Sequence, residues 1–401
     1  MNDLLIRLGM EPISQLFDQN YEAIKDEEKL PDWLTEAFLL ETLKEFPFFA
    51  KNRELVISAL PTLLNNPDHV LFVKVLYRML GIRKHQKEVF PGLRFPPDFG
   101  LAPIFPLLAR ARENYRELRR RGADEKILQA TAARIDNSIT DSIRIAGKPV
   151  LSGHYFRWLT VNCSGKLLSV DRFDFELRDS CHQNVRAFRH TDGRQMLLMT
   201  DGVQVHRSGL IMGSANCSDA EGSFETRYLE TEDSFMGNPV ENCLVQRQPI
   251  QLLKSDWTCV YQPGDPLISV HIPSSGSFDP DTVNRSLQHG KELIQRLYPE
   301  TPFRGFCCGS WLLSPDLSKL LKPTANILHF GGLFNRYPIG AKGMDIFRFV
   351  FQQETSDLST VDWDALPRET SLARALADYY RSGKRIFETG GLILFPDAIG
   401  D

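Results

Sequence analysis

The chain has 401 residues, of which 42% are hydrophobic and 24% are charged, and its formal net charge is −4. This length allows a substantial core and two or three domains, and the composition is that of an ordinary globular protein. The small net charge excludes a global field that would gather nucleic acid or an anionic membrane surface. Because no apolar run approaches the ~20 residues that cross a bilayer and no secretory signal is recognisable, we expect a cytoplasmic protein without membrane or nucleic-acid partners.

Helical periodicity extends over the first third of the chain, from Leu4 to about Ala146. Its apolar stripes predict helices that begin near Pro31 and that lie at 68–80, 104–121 and 123–145. A basic cluster lies on the third of these helices and consists of Arg110, Arg112, Arg116, Arg119, Arg120 and Arg121. Glu113 and Glu117 are interleaved with the arginines, which favours a solvated helix face over a nucleic-acid surface.

The apolar period changes to two at about Gly153, after Gly147-Lys148-Pro149 has interrupted the helical pattern. Antiparallel strands are predicted at 157–163, 167–177, 185–189 and 195–200. The polar segment 213–242 is predicted to be a long surface excursion. We therefore predict two domains, a helical accessory domain of residues 1–148 and a second domain of residues 149–401.

Two predicted strands flank one helix in the second domain. The first strand, 266–273, places Ser269 and His271 on the face opposite its branched apolar residues. The helix begins after Asp279, a favourable N-cap that is followed by a proline at the first helical position. The second strand is predicted at 303–313. This order predicts a parallel pair with a right-handed crossover, and a pocket at the carboxyl ends of its strands beside the helix N-terminus.

The remainder of the chain is predicted to contain three more strands, at 327–334, 345–352 and 391–395, and one helix at 371–382. The seven cysteines include no CxxC pair and no zinc-ligand spacing. Their number is odd in a long chain, so a disulfide scaffold is not expected and no metal site is predicted.

Three segments of this sequence resemble a bacterial GNAT-like acyltransferase family. They read YFRWLTVNCSGKLLSVDRFDFEL, HIPSSGSFDPDTVNRSL and FRGFCCGSWLLSPDLSKLL, and the resemblance extends over most of the chain. It implies an α/β (α+β) fold in which a helical N-terminal domain precedes a GNAT-like mixed-sheet acyltransferase domain. It also implies acyl-CoA, or CoA, as co-substrate. Enzymes of this fold class hold a thioester carbonyl between two splayed strands and deprotonate an amine.

Three side chains on the predicted parallel pair are candidates for catalysis. His271 is the candidate general base, because imidazole titrates near neutrality, with a structural hydrogen bond as the equal alternative. Ser310 is a candidate for stabilising an oxyanion or protonating the leaving thiolate, and a bond to backbone is its alternative role. Cys308 is a candidate nucleophile, although a buried strand cysteine is more often inert. Trp311 is expected either in the core or in the wall of an acyl pocket.

The loop before the helix is the candidate binding site for the pyrophosphate of CoA, through the backbone of Ser274, Ser275, Gly276, Ser277 and Phe278. The Gln/Arg-x-x-Gly-x-Gly/Ala pattern that is usual for this fold class is absent from the loop. Asp279 and Asp281 lie in the turn that would face the anion and oppose it electrostatically. Arg285, or residues from the helical domain, could supply the phosphate contacts instead.

The leading functional hypothesis is therefore transfer of an acyl group from acyl-CoA, or another thioester, to an amine of a small-molecule or peptide acceptor. The alternative is a catalytically silent GNAT-like module that binds a small molecule or a partner protein, which the altered phosphate loop favours. A cysteine-dependent hydrolase is a third hypothesis, supported only by Cys308 and His271.

Overall fold

The computed structural model describes residues 3–47, 49–82, 86–96, 98–215, 217–274, 276–353, 355 and 357–396. The chain divides into two compact units. The first contains the residues up to Val170 together with Asp174–Glu176, and the second contains Asp171–Phe173 and the residues from Leu177 onward. Among the helices in these ranges, none is both long enough and apolar enough to cross a membrane.

The first unit is built from helices. They are α1 (Asp3–Arg7), α2 (Gln15–Glu22), α3 (Glu36–Glu45), α4 (Arg53–Leu64), α5 (Pro67–Met79), α6 (Gln86–Val89), α7 (Ile104–Arg120), α8 (Glu125–Ala146) and α9 (Gly153–Cys163), followed by strand β1 (Leu167–Val170). Local capping fixes several boundaries: the side chain of Asn66 accepts the N–H groups of Asp68 and His69, and that of Asp124 accepts the N–H of Ile127. The predicted helices at 68–80, 104–121 and 123–145 are thus confirmed.

The arginines of α7 form ion pairs with neighbouring glutamates. The guanidinium of Arg116 lies 2.7 Å from Glu45, that of Arg112 lies 3.0 Å from the same carboxylate, and that of Arg119 lies 2.6 Å from Glu125. The interleaved Glu113 and Glu117 also form ion pairs, with Arg110 and with Arg120 and Arg121 respectively, so much of the local positive charge is neutralised.

The segment predicted as a strand at 157–163 is a helix, and this prediction was wrong. The hydroxyl of Ser152 caps α9 by accepting the N–H of Tyr155. Phe156, Leu159 and Cys163, spaced three and four residues apart, are the fully buried apolar residues of α9. This spacing lines one side of a helix, whereas a strand would bury alternate residues.

The second unit contains most of the strands. They are β2 (Phe173–Arg178), which crosses the boundary between the units, β3 (Val185–His190), β4 (Gln195–Met199), β5 (Gln204–Val205), β6 (Phe224–Glu225), β7 (Tyr228–Glu230), β8 (Ser234–Gly237), β9 (Val240–Glu241), β10 (Leu244–Val245), β11 (Ile250–Leu253), β12 (Trp257–Tyr261), β13 (Leu267–His271), β14 (Gly305–Ser310), β15 (Asn335–Pro338) and β16 (Thr389–Leu394). The helices are α10 (Pro280–Leu297), α11 (Asn326–Gly332), α12 (Asp345–Phe349) and α13 (Ser371–Arg381). The segment 213–242, predicted as a surface excursion, instead contributes four short strands to this unit.

Four neighbouring strands of a six-stranded mixed sheet, in the order β13-β14-β16-β15, position the candidate site. β13 and β14 are parallel, and β16 is antiparallel to both β14 and β15. This unit also contains two three-stranded antiparallel sheets, β12-β3-β4 and β11-β8-β7, and two two-stranded sheets, β10-β9 and β5-β6. One apolar core joins residues of the mixed sheet to residues of β3 and β4, among them Leu267, Cys307, Leu392, Val185 and Leu197.

Two predicted strands after β14 are helices. The segments 327–334 and 345–352 fold as α11 and α12, so these predictions were wrong, whereas 371–382 and 391–395 are confirmed as α13 and β16. In the second segment the rings of Phe347 and Phe351 pack with centroids 5.3 Å apart, which is the i to i+4 contact of a helix. The sequence DIFRFVFQ alternates as a strand would, but Phe349 is exposed.

Candidate functional site

The site lies where the parallel strands β13 and β14 separate. Within the described residues, the two strands pair at Ile268–Phe306 and at Ser269–Cys307. Both then continue as strands, β13 to His271 and β14 to Ser310, without a further ladder pair between them. Gly309 is exposed although the four residues before it in β14 are buried. The predicted parallel pair is therefore confirmed, and the ladder between its strands stops before their carboxyl ends, where Gly309 is exposed.

The register of this pair separates the predicted catalytic side chains. Ser269 is paired with Cys307, so the odd-numbered positions of both strands share one face. His271 belongs to that face, and the even-numbered positions Cys308 and Ser310 belong to the other. The structure thus brings the three residues to the same end of the sheet but not to the same side of it.

The hydroxyl of Ser310 already has a structural contact. Its Oγ accepts the N–H of Leu312 at 3.1 Å and caps the short 3₁₀ turn Trp311–Leu313. Trp311 is buried in an apolar cluster with Leu317 and Phe347. His271 is half-buried at the last position of β13.

Cys308 is a buried thiol. Its residue is 3% exposed, and burial raises the pKa of this thiol to about 12. The thiol is therefore protonated at neutral pH, and the imidazole of His271 lies on the opposite face of the sheet. This environment is that of a structural cysteine rather than an activated nucleophile.

Arg172 organises the loop that was predicted to bind pyrophosphate. Its Nε donates to the carbonyl of Ser277 at 2.9 Å and its Nη1 to the carbonyl of Pro273 at 3.0 Å. The guanidinium also lies over the ring of Phe278, 4.4 Å from its centroid. Gly276 has φ +105, and a Cβ on it would lie 3.1 Å from the Cδ of Arg172.

The positive charge absent from the loop sequence is thus supplied from the turn between β1 and β2. This turn is fixed to α10, because the hydroxyl of Ser286 accepts the backbone N–H groups of Arg172 and Phe173, each at 3.2 Å. Ser274, Gly276 and Ser277 are exposed on the loop. Ser275 lies outside the described residues.

An acidic group opposes anion binding at the same loop. The carboxylate of Asp279 accepts the N–H of Thr282 at 2.9 Å, and this backbone hydrogen bond lowers the pKa of Asp279 to about 2. The side chain is therefore ionised at any physiological pH. It already accepts the N–H of Thr282, one of the backbone donors at the N-terminus of α10 that could otherwise bind phosphate.

Glu388 is a candidate that the sequence did not reveal. Thr389, the first residue of β16, pairs with Ser310, so Glu388 lies just beyond the carboxyl end of β14. It is half-buried, and burial raises the pKa of this carboxyl to about 7, with a smaller contribution from Asp345. The sequence feature that could have indicated Glu388 is its place between the apolar pair Ile386-Phe387 and the predicted strand at 391–395.

No group of three or more His, Cys, Asp or Glu side chains that could hold a metal ion occurs among the described residues. The groups at this end of the sheet are therefore the exposed backbone of Gly309, the imidazole of His271, the carboxyl of Glu388 with its raised pKa, and a loop built over an arginine.

The chain belongs to the family of proteins with a GNAT-like C-terminal domain, whose sequence pattern matches residues 167–393, more than half of the chain. No curated protein matches it. The predicted family and the predicted fold class are thus confirmed.

Several solved acyltransferase structures share the fold. One is a complex with decanoyl-CoA and teicoplanin at 16% identity, another is a complex with decanoyl-CoA at 18%, and a third is a complex with CoA and 10C-teicoplanin at 16%. Each comparison has a TM-score of 0.63 and covers 98% of this chain and 99% of the other. At these identities the likeness establishes a common fold.

Proposed function

We propose that the protein is an N-acyltransferase that moves an acyl group from acyl-CoA to an amine of a small-molecule or peptide acceptor by direct attack. The divergence of β13 and β14 carries this proposal, because the gap exposes strand backbone at the carboxyl end of a parallel pair. Its support is the fold shared with acyltransferases solved with decanoyl-CoA.

In this proposal the thioester carbonyl lies between the diverging strands, where backbone N–H groups stabilise the oxyanion. His271 accepts a proton from the acceptor nitrogen, and the thiolate of CoA leaves. The backbone of Ser274, Gly276, Ser277 and Phe278 holds the pyrophosphate. Trp311 lines the acyl pocket, and Ser310 and Cys308 shape the even-numbered face.

A catalytically silent module that binds a small molecule or a partner protein is the second candidate. It is favoured by the ionised carboxylate of Asp279, which faces the position proposed for phosphate. Asp281 adds a second acidic group in the same turn.

A thermal-shift titration separates these candidates. Decanoyl-CoA, acetyl-CoA and free CoA are each added to the whole protein, and we expect Tm to rise with concentration, since these ligands bind the folded state. Free CoA released in the presence of primary amines is then measured by chromatography. Binding without CoA release from any amine supports the silent module, and the absence of any Tm shift contradicts the proposed acyl-CoA site.

A further inference from the structure

Glu388 and the opening between β13 and β14 lie at the same end of the mixed sheet. Along β14 and β16 the register pairs Cys307 with Leu392, Gly309 with Gly390 and Ser310 with Thr389. Even positions of β16 therefore share the face of the odd positions of β14, which is the face of His271. Glu388 precedes Gly390 by two residues and lies just outside this ladder, which ends at the pair of Ser310 and Thr389. β16 is the strand next to β14, and adjacent strands lie ~5 Å apart, so Glu388 lies close to the carboxyl end of β14 on the side away from β13.

The carboxylate of Glu388 is set up to receive a cation. Within the described part of the chain it has no hydrogen-bond donor and no basic partner. The charged group that acts on it is Asp345, the first residue of α12, which is also negative. Tyr380 of α13 lies close enough to be influenced by Glu388, but its hydroxyl donates to the carbonyl of Gly343 at 2.7 Å. Arg385 is stacked over the ring of Tyr380.

We propose that Glu388 receives the protonated amine of the acceptor and removes its first proton, which deepens the proposed function and rests on it. Two carboxylates, Glu388 and Asp345, attract a primary ammonium and repel an acceptor that carries a carboxylate beside its amine. The acceptor class is therefore a primary amine without an adjacent negative charge.

The reaction requires two deprotonations at nitrogen. Glu388 takes the first proton from the ammonium and frees the nitrogen lone pair. The lone pair forms the C–N bond at the thioester carbonyl carbon, and the C–S bond then breaks with its electron pair on sulfur. The nitrogen loses its second proton, to His271 in the proposed mechanism, and the thiolate is protonated to the free thiol of CoA. A carboxyl with pKa near neutrality is suited to the first step, because it is ionised at working pH yet still basic.

The experiment measures CoA release from decanoyl-CoA with phenethylamine and with phenylalanine, which differ by one carboxylate, as a function of pH. We expect phenethylamine to be the better acceptor. Glu388→Gln should lower kcat/KM for phenethylamine by ~10²–10³-fold and remove the rise in rate around pH 7, with an unchanged Kd for decanoyl-CoA. Glu388→Asp should restore part of the rate, and Asp345→Asn should move the rise to lower pH because it removes a charge that opposes ionisation.

Two results would overturn the role of Glu388. One is a folded Glu388→Gln protein with the wild-type rate and pH profile, and the other is equal use of phenethylamine and phenylalanine. If the wild type acylates an amine in either case, the proposed function stands and Glu388 alone is excluded. If the wild type does not bind decanoyl-CoA, or binds it and acylates neither amine, the proposed acyl transfer is itself contradicted. Circular dichroism of each variant establishes that it is folded.

Discussion

His271 and Glu388 lie at the same end of the mixed sheet but differ in their surroundings. His271 ends a strand whose four preceding residues are buried, and Glu388 precedes a strand and is held in an environment that disfavours its charge. An acid–base role needs a group that changes protonation near the working pH, and the carboxyl of Glu388, with its pKa raised to about 7, meets this condition. Ser310 and Cys308, in contrast, have contacts or burial that explain them as structural residues.

Replacing His271 by Gln tests its proposed role as a base. The amide is close in size and keeps hydrogen bonding, so the fold should be retained. Turnover should fall by ~10²–10⁴-fold, the loss expected for removal of a general base. Stopped-assay rates between pH 5 and 9 provide the measurement. A variant with lower Tm and an unchanged pH profile would indicate that His271 is a structural residue.

Glu388 also makes stability depend on pH in a direction that can be tested. Its pKa is raised from 4.5 to about 7 in the folded protein, so the folded state binds a proton more tightly than the unfolded chain. Wild-type stability should therefore fall as pH rises from about 4.5 to about 7. Glu388→Gln, which carries no charge, should match the wild type near pH 4.5 and exceed it above pH 7.

The expected gain of Glu388→Gln above pH 7 is roughly 1–2 kcal/mol, less than the full shift would give, because water screens a half-buried carboxylate. Differential scanning calorimetry at pH 4.5 and pH 8 measures it as a Tm difference of roughly 2–6 °C. Glu241→Gln, at an exposed carboxylate of the same unit, is the control and should behave as the wild type does. A gain that is the same at both pH values would show that burial does not oppose ionisation of Glu388.

At the scale of elements, the loop between β13 and α10 is built from both local and distant residues. Its helix start was predictable, since Asp279 caps α10 and a proline follows it. The guanidinium beneath it was not predictable, because Arg172 comes from 105 positions earlier than Ser277 and from a different turn. Gly276 with φ +105 allows the chain to pass over that side chain.

Replacing Gly276 by Val should weaken CoA binding if the loop holds the pyrophosphate. The backbone conformation is strained for any L side chain by about 1–3 kcal/mol, and the new Cβ presses on Arg172. Calorimetric Kd values for CoA should rise by about tenfold or more. Gly193→Val is the matched control: Gly193 also has positive φ, but it lies in the turn between β3 and β4 with open space around it. An unchanged Kd in folded Gly276→Val would place CoA elsewhere.

The elements predicted correctly from sequence are those whose pattern is local and unambiguous. Helix α10, the parallel strands around it and the capped helices of the first unit belong to this group. The segments that form α9, α11 and α12 were wrongly predicted as strands. They are short and rich in aromatic or β-branched residues, so their apolar residues fit both the 3–4 residue spacing of a helix and the alternation of a strand. Glu388 and Arg172 could not be recognised as site residues from the sequence. The antiparallel register of β14 and β16 brings Glu388 to the site, and a hydrogen bond to the distant Ser277 brings Arg172 there.

At the scale of the whole molecule, the likeness to acyltransferase structures covers 98% of the chain and therefore includes both compact units. The sequence predicts a domain boundary at residue 148, and that boundary stays a prediction. The first compact unit continues to Val170 and so includes α9 and β1. The two descriptions differ by 22 residues, and separate expression of fragments distinguishes them.

A fragment of residues 1–170 should be folded and more stable than a fragment of residues 1–148. Helix α9 contacts α7 and α8, and its Phe156, Leu159 and Cys163 are at most 1% exposed. Burying each large apolar side chain contributes about 1.5–3 kcal/mol, so deleting α9 removes an amount comparable with the 5–15 kcal/mol that keeps a typical domain folded. Urea titration followed by circular dichroism gives the comparison, and Phe156→Ala in the longer fragment should lie between the two. Equal stability of the two fragments would instead place the boundary at residue 148, with α9 contributing nothing to the first unit.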